Sequence, residues 1–392
     1  MSHFCHRSTM AVKTEPAVPL AAAPDRIGSS AIRDLLAVAE RPDVISLAGG
    51  LPNPARFPVA ELEAAAARVL GSALQYSATA GLEPLRSWVH ADDPERVIVT
   101  NGSQQALELL TRALVDPGDE IALADPAYVG ALQAFRLAGA RLVGVPGDAD
   151  GLRVDVLADR LAAGARPRFV YVVADFDNPS GATLSLERRA ALGELADRYG
   201  FLVVEDNPYG ELRWAGERLP GLATFTDRAV TLGTVSKILA PGLRVGWAVA
   251  PRELTATLVK MKQAVDLQPG TLSQRIALEV LSTPGFLPTH LDRLRAGYAE
   301  QCRALAGALR SELGDRIAFH EPAGGMFLWA RLAGVDARTL LPRAVDHGVA
   351  FVPGAEFAVD PATADPSALR LSFATATPAE LAEAAARLRR CV

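Results

Sequence analysis

Short apolar runs alternate with longer amphipathic stretches through the middle of the chain. The runs at Val97–Thr100, Glu120–Ala124, Arg141–Val145, Phe169–Val173, Phe201–Glu205, Ala229–Gly233 and Val245–Ala250 read as strands. Between them, Gln104–Val115, Tyr128–Ala138, Leu186–Tyr199 and Glu253–Val265 carry helical spacing. The strands are apolar throughout rather than alternating. Such strands belong to a sheet covered on both faces, so the pattern predicts an α/β chain whose large domain has a mainly parallel sheet sandwiched by helices. After about Pro284 the texture changes. A long helix at Leu287–Leu313 is followed by Met326–Ala330, a helix near Ala337–His347, Leu369–Phe373 and a terminal helix at Pro378–Arg390. That order predicts a smaller C-terminal α+β domain. The expected division is an N-terminal arm and segment packing on the small domain (1–50), a large domain (51–283) and a small domain (284–392).

Composition narrows the functional classes. Of 392 residues, 49% are hydrophobic and 22% charged, which is ordinary for a globular protein and too apolar for disorder. A net charge of −5 leaves no basic balance for tracking phosphates, which excludes a general nucleic-acid binder. Cys5, Cys302 and Cys391 are too far apart for a zinc spacing or a disulfide framework, so a reducing, cytoplasmic compartment is expected. No stretch approaches the ~20 apolar residues of a membrane span. The stretch Ala17–Pro24 is interrupted by Pro19 and is too weakly apolar for a secretion signal.

In an open parallel sheet, ligands sit beyond the carboxyl ends of the strands. Asn101-Gly-Ser-Gln-Gln105 turns from a strand into a helix, which suits either a phosphate on free N–H groups or an ordinary cap by Ser103. Asp175-Phe-Asp-Asn-Pro-Ser-Gly181 is turn chemistry first. Glu205 and Asp206 end another strand as either solvated loop acids or a placed anion. Thr234, Ser236, Lys237 and Arg244 collect where a further strand stops. An anion cradle, an amide, an acid and an amine at four strand ends form the set a pyridoxal phosphate site requires.

The segments Ser46-Leu-Ala-Gly-Gly-Leu-Pro-Asn53, Leu74-Gln-Tyr76, Asn101-Gly-Ser-Gln-Gln-Ala-Leu107 and Asn178-Pro-Ser-Gly181 carry a family resemblance. So do Glu205-Asp-Asn-Pro-Tyr-Gly210, Ser236-Lys-Ile-Leu-Ala-Pro-Gly-Leu-Arg244 and Gly324-Gly-Met-Phe-Leu-Trp329. Together, over about Ile27 to Leu388, they resemble the fold-type-I, class I/II aminotransferases of the 2-aminoadipate/kynurenine branch. The resemblance implies the pyridoxal-phosphate-dependent transferase fold type I, with pyridoxal 5'-phosphate as cofactor. It also implies ping-pong transfer of an amino group between an L-α-amino acid and a 2-oxo acid through pyridoxamine phosphate.

By that resemblance Lys237 forms the Schiff base and moves a proton between the substrate Cα and the cofactor. A lysine beside Arg244 and a cofactor cation has a lowered pKa, as the task requires. Asp206 is implied as partner of the pyridine nitrogen, with Glu205 facing away because strand side chains alternate. Asn178 and Tyr209 are implied at the phenolic oxygen and Tyr128 against the ring. Ser103, Gln104, Thr234, Ser236 and Arg244 are implied at the phosphate, joined by Tyr76 from the neighbouring subunit of a homodimer. Arg370 is the implied clamp for the substrate α-carboxylate, since alternation in Leu369-Arg-Leu-Ser-Phe373 sets it opposite the apolar side chains. Gly49 and Gly50 let backbone approach the substrate, and Arg33 matches a position that meets a substrate's distal group.

This sequence departs from the family pattern in two places. The stretch between Arg86 and Val97 is shorter, and Ala174 and Asp177 stand where the family has proline and glutamine. A carboxylate at 177 raises the expectation of a cationic substrate side chain. Two other functions use the same site residues: a same-fold enzyme diverting its intermediate to elimination, cyclisation or oxidation, and a ligand-sensing regulator domain. The second is disfavoured because only a short arm precedes the fold and no basic balance is present.

Overall fold

The computed structural model of the chain describes residues 18–28 and 41–392. In chain order the first strands are β1 (Ile45–Ser46), β2 (Val97–Asn101), β3 (Glu120–Asp125), β4 (Arg141–Asp148) and β5 (Gly151–Leu152). Then come β6 (Pro167–Val173), β7 (Leu202–Asp206), β8 (Ala229–Thr234) and β9 (Val245–Val249). The last are β10 (Ile317–Phe319), β11 (Phe327–Leu332), β12 (Val349–Ala350), β13 (Val352–Pro353) and β14 (Ala368–Ser372).

Eight strands form the central sheet in the order β2-β9-β8-β7-β6-β3-β4-β5. The inner set β4, β3, β6, β7 and β8 pairs in parallel. The strand at Val245–Val249 corrects the simplest expectation: it runs antiparallel between β2 and β8. Two reversals restore β2 to the direction of β8, so the carboxyl ends of β2, β6, β7 and β8 share one edge. Pairing direction is a long-range choice that hydrophobic periodicity does not encode.

The continuous apolar runs reflect two cores. On β6, Phe169, Tyr171 and Val173 pack into one core while Val170 and Val172 pack into the other. The first face is covered by the helices Ser103–Leu114 and Val129–Leu137, the second by Val154–Ala162 and Leu186–Tyr199. Local chemistry sets the ends of the Leu186–Tyr199 helix. Ser185 caps it by accepting from the Arg188 N–H, and Gly200 ends it at φ 80°.

A second sheet of four antiparallel strands, β10-β11-β14-β13, packs with the long helix Phe286–Leu313 and the terminal helix Pro378–Arg389. Thr377 and Glu380 form a capping box at the start of that terminal helix. Strand β1 pairs in parallel with β12, Ile45 opposite Val349. The stretch just ahead of Gly50 is therefore stitched to the C-terminal part of the chain.

Candidate active site

Where β2 ends, Gly102 (φ 75°) precedes the Ser103–Leu114 helix, and no side chain caps that helix. Ser103 is its first residue and not its cap. The Gln105 N–H donates to the Gly102 carbonyl (3.2 Å), which leaves the Ser103 and Gln104 N–H groups and the positive end of the helix dipole toward the sheet edge. The Arg244 guanidinium lies alongside and donates to the Asn101 carbonyl at 2.9 Å. Gly102 is required there, because a Cβ would collide with that guanidinium. Thr234 Oγ1 donates to the Val245 carbonyl (2.9 Å) and accepts from the Ser236 N–H (3.1 Å). Gln104 Nε2 donates to the Gly130 carbonyl (2.8 Å), and its Oε1 accepts from the Tyr128 hydroxyl (3.2 Å). The Thr234 and Ser236 hydroxyls also bond each other at 2.8 Å, so Thr234 and Gln104 hold their neighbours in place, while Ser103, Ser236 and Arg244 line the opening.

At the other end of the opening, Asp206 is 3% exposed. Its Oδ2 accepts from the Tyr171 hydroxyl at 2.9 Å, while its buried Oδ1 has no partner among the described residues. Burial pushes this carboxyl up to about 6, against the pull of the Tyr171 hydrogen bond and the Lys237 charge. Glu205 points to the opposite face, where its Oε2 accepts from the Leu222 N–H at 2.8 Å, as strand alternation requires. Lys237 Nζ donates to the Gly50 carbonyl at 2.9 Å. Burial first, then the charges of Arg370 and Arg244, bring its pKa down to about 8. Desolvation is thus the main cause, ahead of the neighbouring arginine named from the sequence.

Arg370 is almost fully buried. It donates from Nη1 to Asn178 Oδ1 (2.7 Å) and from Nη2 to the Ala48 carbonyl (2.6 Å). Its guanidinium carbon lies 4.4 Å from the Phe327 ring centroid and 4.8 Å from that of Phe357. Burial lowers its pKa to about 10, which leaves it charged at neutral pH.

One cavity of about 340 Å³ is lined by Gly50, Ser103, Gln104, Tyr128, Asn178, Asp206, Tyr209, Thr234, Ser236, Lys237, Arg244 and Arg370. One expected residue is elsewhere. Tyr76 is 76% exposed and does not line the cavity of its own chain, and Arg33 lies outside the described residues. Asp177 also differs from expectation. It lines a neighbouring cavity of about 470 Å³, bounded in part by Asp125, His320 and Trp329, and not the one containing Lys237. That placement withdraws the argument for a cationic substrate side chain. The sequence reading missed Phe357, Pro208 and Val129 in the lining, and Tyr171 behind Asp206. Tyr171 alone had a signal: a tyrosine within a buried apolar strand needs a hydroxyl partner.

The residues fit pyridoxal 5'-phosphate at both ends. Asp206 Oδ1 is a buried acceptor that a protonated pyridine nitrogen would satisfy, and the uncapped helix start beside Arg244 suits a phosphate. Fold and cavity together define a pyridoxal-phosphate enzyme of fold type I. Residues 44–388 match the family of aminotransferases of class I and II, and the chain belongs to that family. It is 41% identical over 380 residues to the 2-aminoadipate transaminase of Thermus thermophilus, covering 94% of each chain. It is also 41% identical over 349 residues to aromatic-amino-acid aminotransferase 1 of Thermococcus litoralis, covering 84% of each. The crystal structure of an alpha-aminoadipate aminotransferase from Thermus thermophilus, complexed with N-(5'-phosphopyridoxyl)-L-leucine, is similar at a TM-score of 0.88. The identity is 40%, with 95% of this chain and 96% of that one covered. The protein is a pyridoxal-phosphate-dependent transaminase. Among the described residues, no helix is long and apolar enough to cross a membrane.

Proposed function

We propose that the cavity is divided between the phosphate end at Ser103 and Arg244 and the substrate end at Arg370, with Lys237 as the catalytic amine between them. Ser103, Ser236, Arg244 and the opening N–H groups of the Ser103–Leu114 helix hold the phosphate. Gln104 and Thr234 contribute by fixing Tyr128 and Ser236. Asp206 holds the ring nitrogen, Tyr128 lies against the ring, and Tyr209 with Asn178 meets the phenolic oxygen. When bound, pyridoxal phosphate supplies a carbonyl carbon that takes up an amino group and a ring that accepts electrons released at the substrate Cα.

Lys237 Nζ, whose pKa desolvation brings down to about 8 so that a substantial fraction is neutral near that pH, would take the proton from the substrate Cα and move it toward the cofactor. The Gly50 carbonyl sets the direction of that nitrogen. Arg370 binds the α-carboxylate, and the flanking Phe327 and Phe357 rings exclude water so that its charge acts at full strength. Because Asn178 Oδ1 already accepts from Arg370, its Nδ2 is the end free to donate to the ligand. Amino acid and 2-oxo acid both carry an α-carboxylate, so the same clamp serves both halves of a ping-pong cycle. The named relatives support 2-aminoadipate and aromatic amino acids as donors.

We also infer a homodimer in which Tyr76 reaches the partner's phosphate site. Leu74, Tyr76 and Leu267 are large exposed apolar side chains, and the Gln75 carbonyl accepts from Thr271 Oγ1 beside them. These side chains therefore gather on one surface. The two separate sheets support the division at 283/284. Cys302 and Cys391, both buried free thiols, suit a reducing cytoplasm.

The observation that carries this reading is the desolvated Lys237 sharing one cavity with the unpartnered Asp206 oxygen. The test is a single half-reaction with the cofactor-loaded enzyme and each donor, followed by absorbance and by assay of the 2-oxo acid. One 2-oxo acid per site from wild type and none from Lys237→Ala is expected. A wild type that releases none with any donor, or a Lys237→Ala variant that matches it, overturns the assignment.

A further inference from the structure

Asp206 ends β7 in a dry position, where burial alone drives a carboxylate toward its neutral form. The fold treats its two oxygens differently. Oδ2 accepts from the Tyr171 hydroxyl at 2.9 Å, whereas Oδ1 is left without a partner among the described residues. Tyr171 belongs to the neighbouring strand β6, two residues before Val173, the register partner of Asp206. The two side chains therefore stand on the same sheet face. The Tyr171 ring is 2% exposed and meets Phe135 edge-on at 5.5 Å between centroids, so packing fixes where the hydroxyl lies.

The bond runs in one direction. Burial, and then the charge of Asp206, hold the Tyr171 hydroxyl well above its ordinary pKa, so it remains a donor and never competes as an anion. The charged groups acting on Asp206 are Lys237, which favours its ionised form, and Asp177 and Glu205, which oppose it. Without the Tyr171 hydroxyl, Lys237 alone stands against burial and two like charges.

We propose that Tyr171 is a positioning residue for the cofactor: its hydroxyl holds the Asp206 carboxylate in the rotamer that turns Oδ1 toward the ring nitrogen, and keeps that carboxylate ionised. The proposal rests on reading Asp206 as the partner of that nitrogen. Tyr171 acts only through Asp206, so its hydroxyl adds little to cofactor retention once residue 206 can no longer meet the ring nitrogen as an anion.

The test is a double-mutant cycle on cofactor affinity, measured by release of pyridoxal phosphate from the loaded enzyme on dilution across pH 6 to 8.5. Tyr171→Phe keeps the ring against Phe135, and thermal unfolding of both proteins without added cofactor separates loss of the hydroxyl from loss of the fold. About tenfold weaker retention is expected, the scale of a buried charged acceptor losing its donor. That deficit grows as pH falls, because the variant's Asp206 takes up its proton at higher pH than wild type. In an Asp206→Asn background, adding Tyr171→Phe changes retention by less than about twofold, as coupled residues require. An equal deficit in both backgrounds, or none in the single variant, overturns the proposal and leaves the Asp206 assignment standing. If Asp206→Asn itself retains cofactor like wild type, the underlying reading fails and the proposal with it.

Discussion

Arg370 Nη1 and Asn178 Oδ1 meet at 2.7 Å although they are 192 positions apart in the chain. Arg370 lies on β14 of the second sheet, and Asn178 follows β6 of the first. The Arg370 end of the cavity is thus assembled from both sheets, and it exists only when the two are packed together.

Arg370→Lys keeps a charge but loses the planar fork that reaches Asn178 and Ala48 together. We expect kcat/KM for the amino acid to fall about hundredfold, since a single ammonium cannot hold Asn178, Ala48 and a carboxylate together in a buried site. Cofactor content per subunit should not change. Steady-state kinetics on protein of measured cofactor content decides this, and an unchanged kcat/KM would remove Arg370 from the clamp.

Gly102→Ala introduces a Cβ into the space of the Arg244 guanidinium and strains a residue at φ 75°. The flexible arginine end yields before the backbone does, so the cation leaves the helix start. Cofactor release should quicken by about tenfold, the value of one charge-assisted contact. Arg244→Gln should release cofactor comparably and gain little from the added Gly102→Ala.

Lys237 supplies a pH signature in the cofactor-free protein. The folded state gives up this proton near pH 8, whereas an unperturbed lysine holds it to 10.5. Because the unfolded chain binds more protons between those values, stability should rise with pH across that window and be lowest below it. Lys237→Met, which removes the buried charge, should stabilise the cofactor-free protein at pH 7 by on the order of 1–3 kcal/mol, fading above pH ~10. Denaturant unfolding at several pH values measures both. A variant no more stable than wild type at pH 7 contradicts the desolvation argument.

Arg189 is fully buried and donates to the carbonyls of Leu184 (2.9 Å), Pro220 (3.0 Å) and Ala174 (2.9 Å) and to Asp175 Oδ1 (3.0 Å). Arg189→Met strands those three carbonyls and leaves Asp175 with Arg213 alone (2.7 Å), with a loss of about 3 kcal/mol expected for breaking a buried ion pair. Arg189→Lys should not restore it, since three donors on one nitrogen do not span four separated acceptors. Chemical denaturation provides the comparison, and a loss confined to activity would contradict a structural role.

Tyr76 can be tested by mixing inactive variants. If it completes the partner's site, Tyr76→Ala and Lys237→Ala subunits unfolded and refolded together form hybrid dimers with one intact site each. Activity should return to about a quarter of wild type, from half of the dimers and half of their sites. No recovery on mixing would place Tyr76 outside the neighbouring site.

Much of this protein is determined by short-range pattern. The strand runs, the span of the Leu186–Tyr199 helix, and the clustering of Asn101, Asp206 and Lys237 at strand ends were all legible. Each depends on neighbours a few residues away, through side-chain alternation, capping and turn chemistry. Twelve of the expected cavity residues do line one cavity, because parallel topology carries the ends of successive strands to the same edge.

What only the tertiary structure decided depends on partners distant in sequence. The reversed direction of β9, the uncapped start at Ser103 and the internal duties of Gln104 and Thr234 are of this kind. So are the turning of Asp177 into a second cavity and the Tyr171 bond to Asp206. A side chain's charge state and the direction of its hydrogen bonds follow from how dry its surroundings are and which groups share them. Those surroundings are built by segments that meet only when the chain is folded.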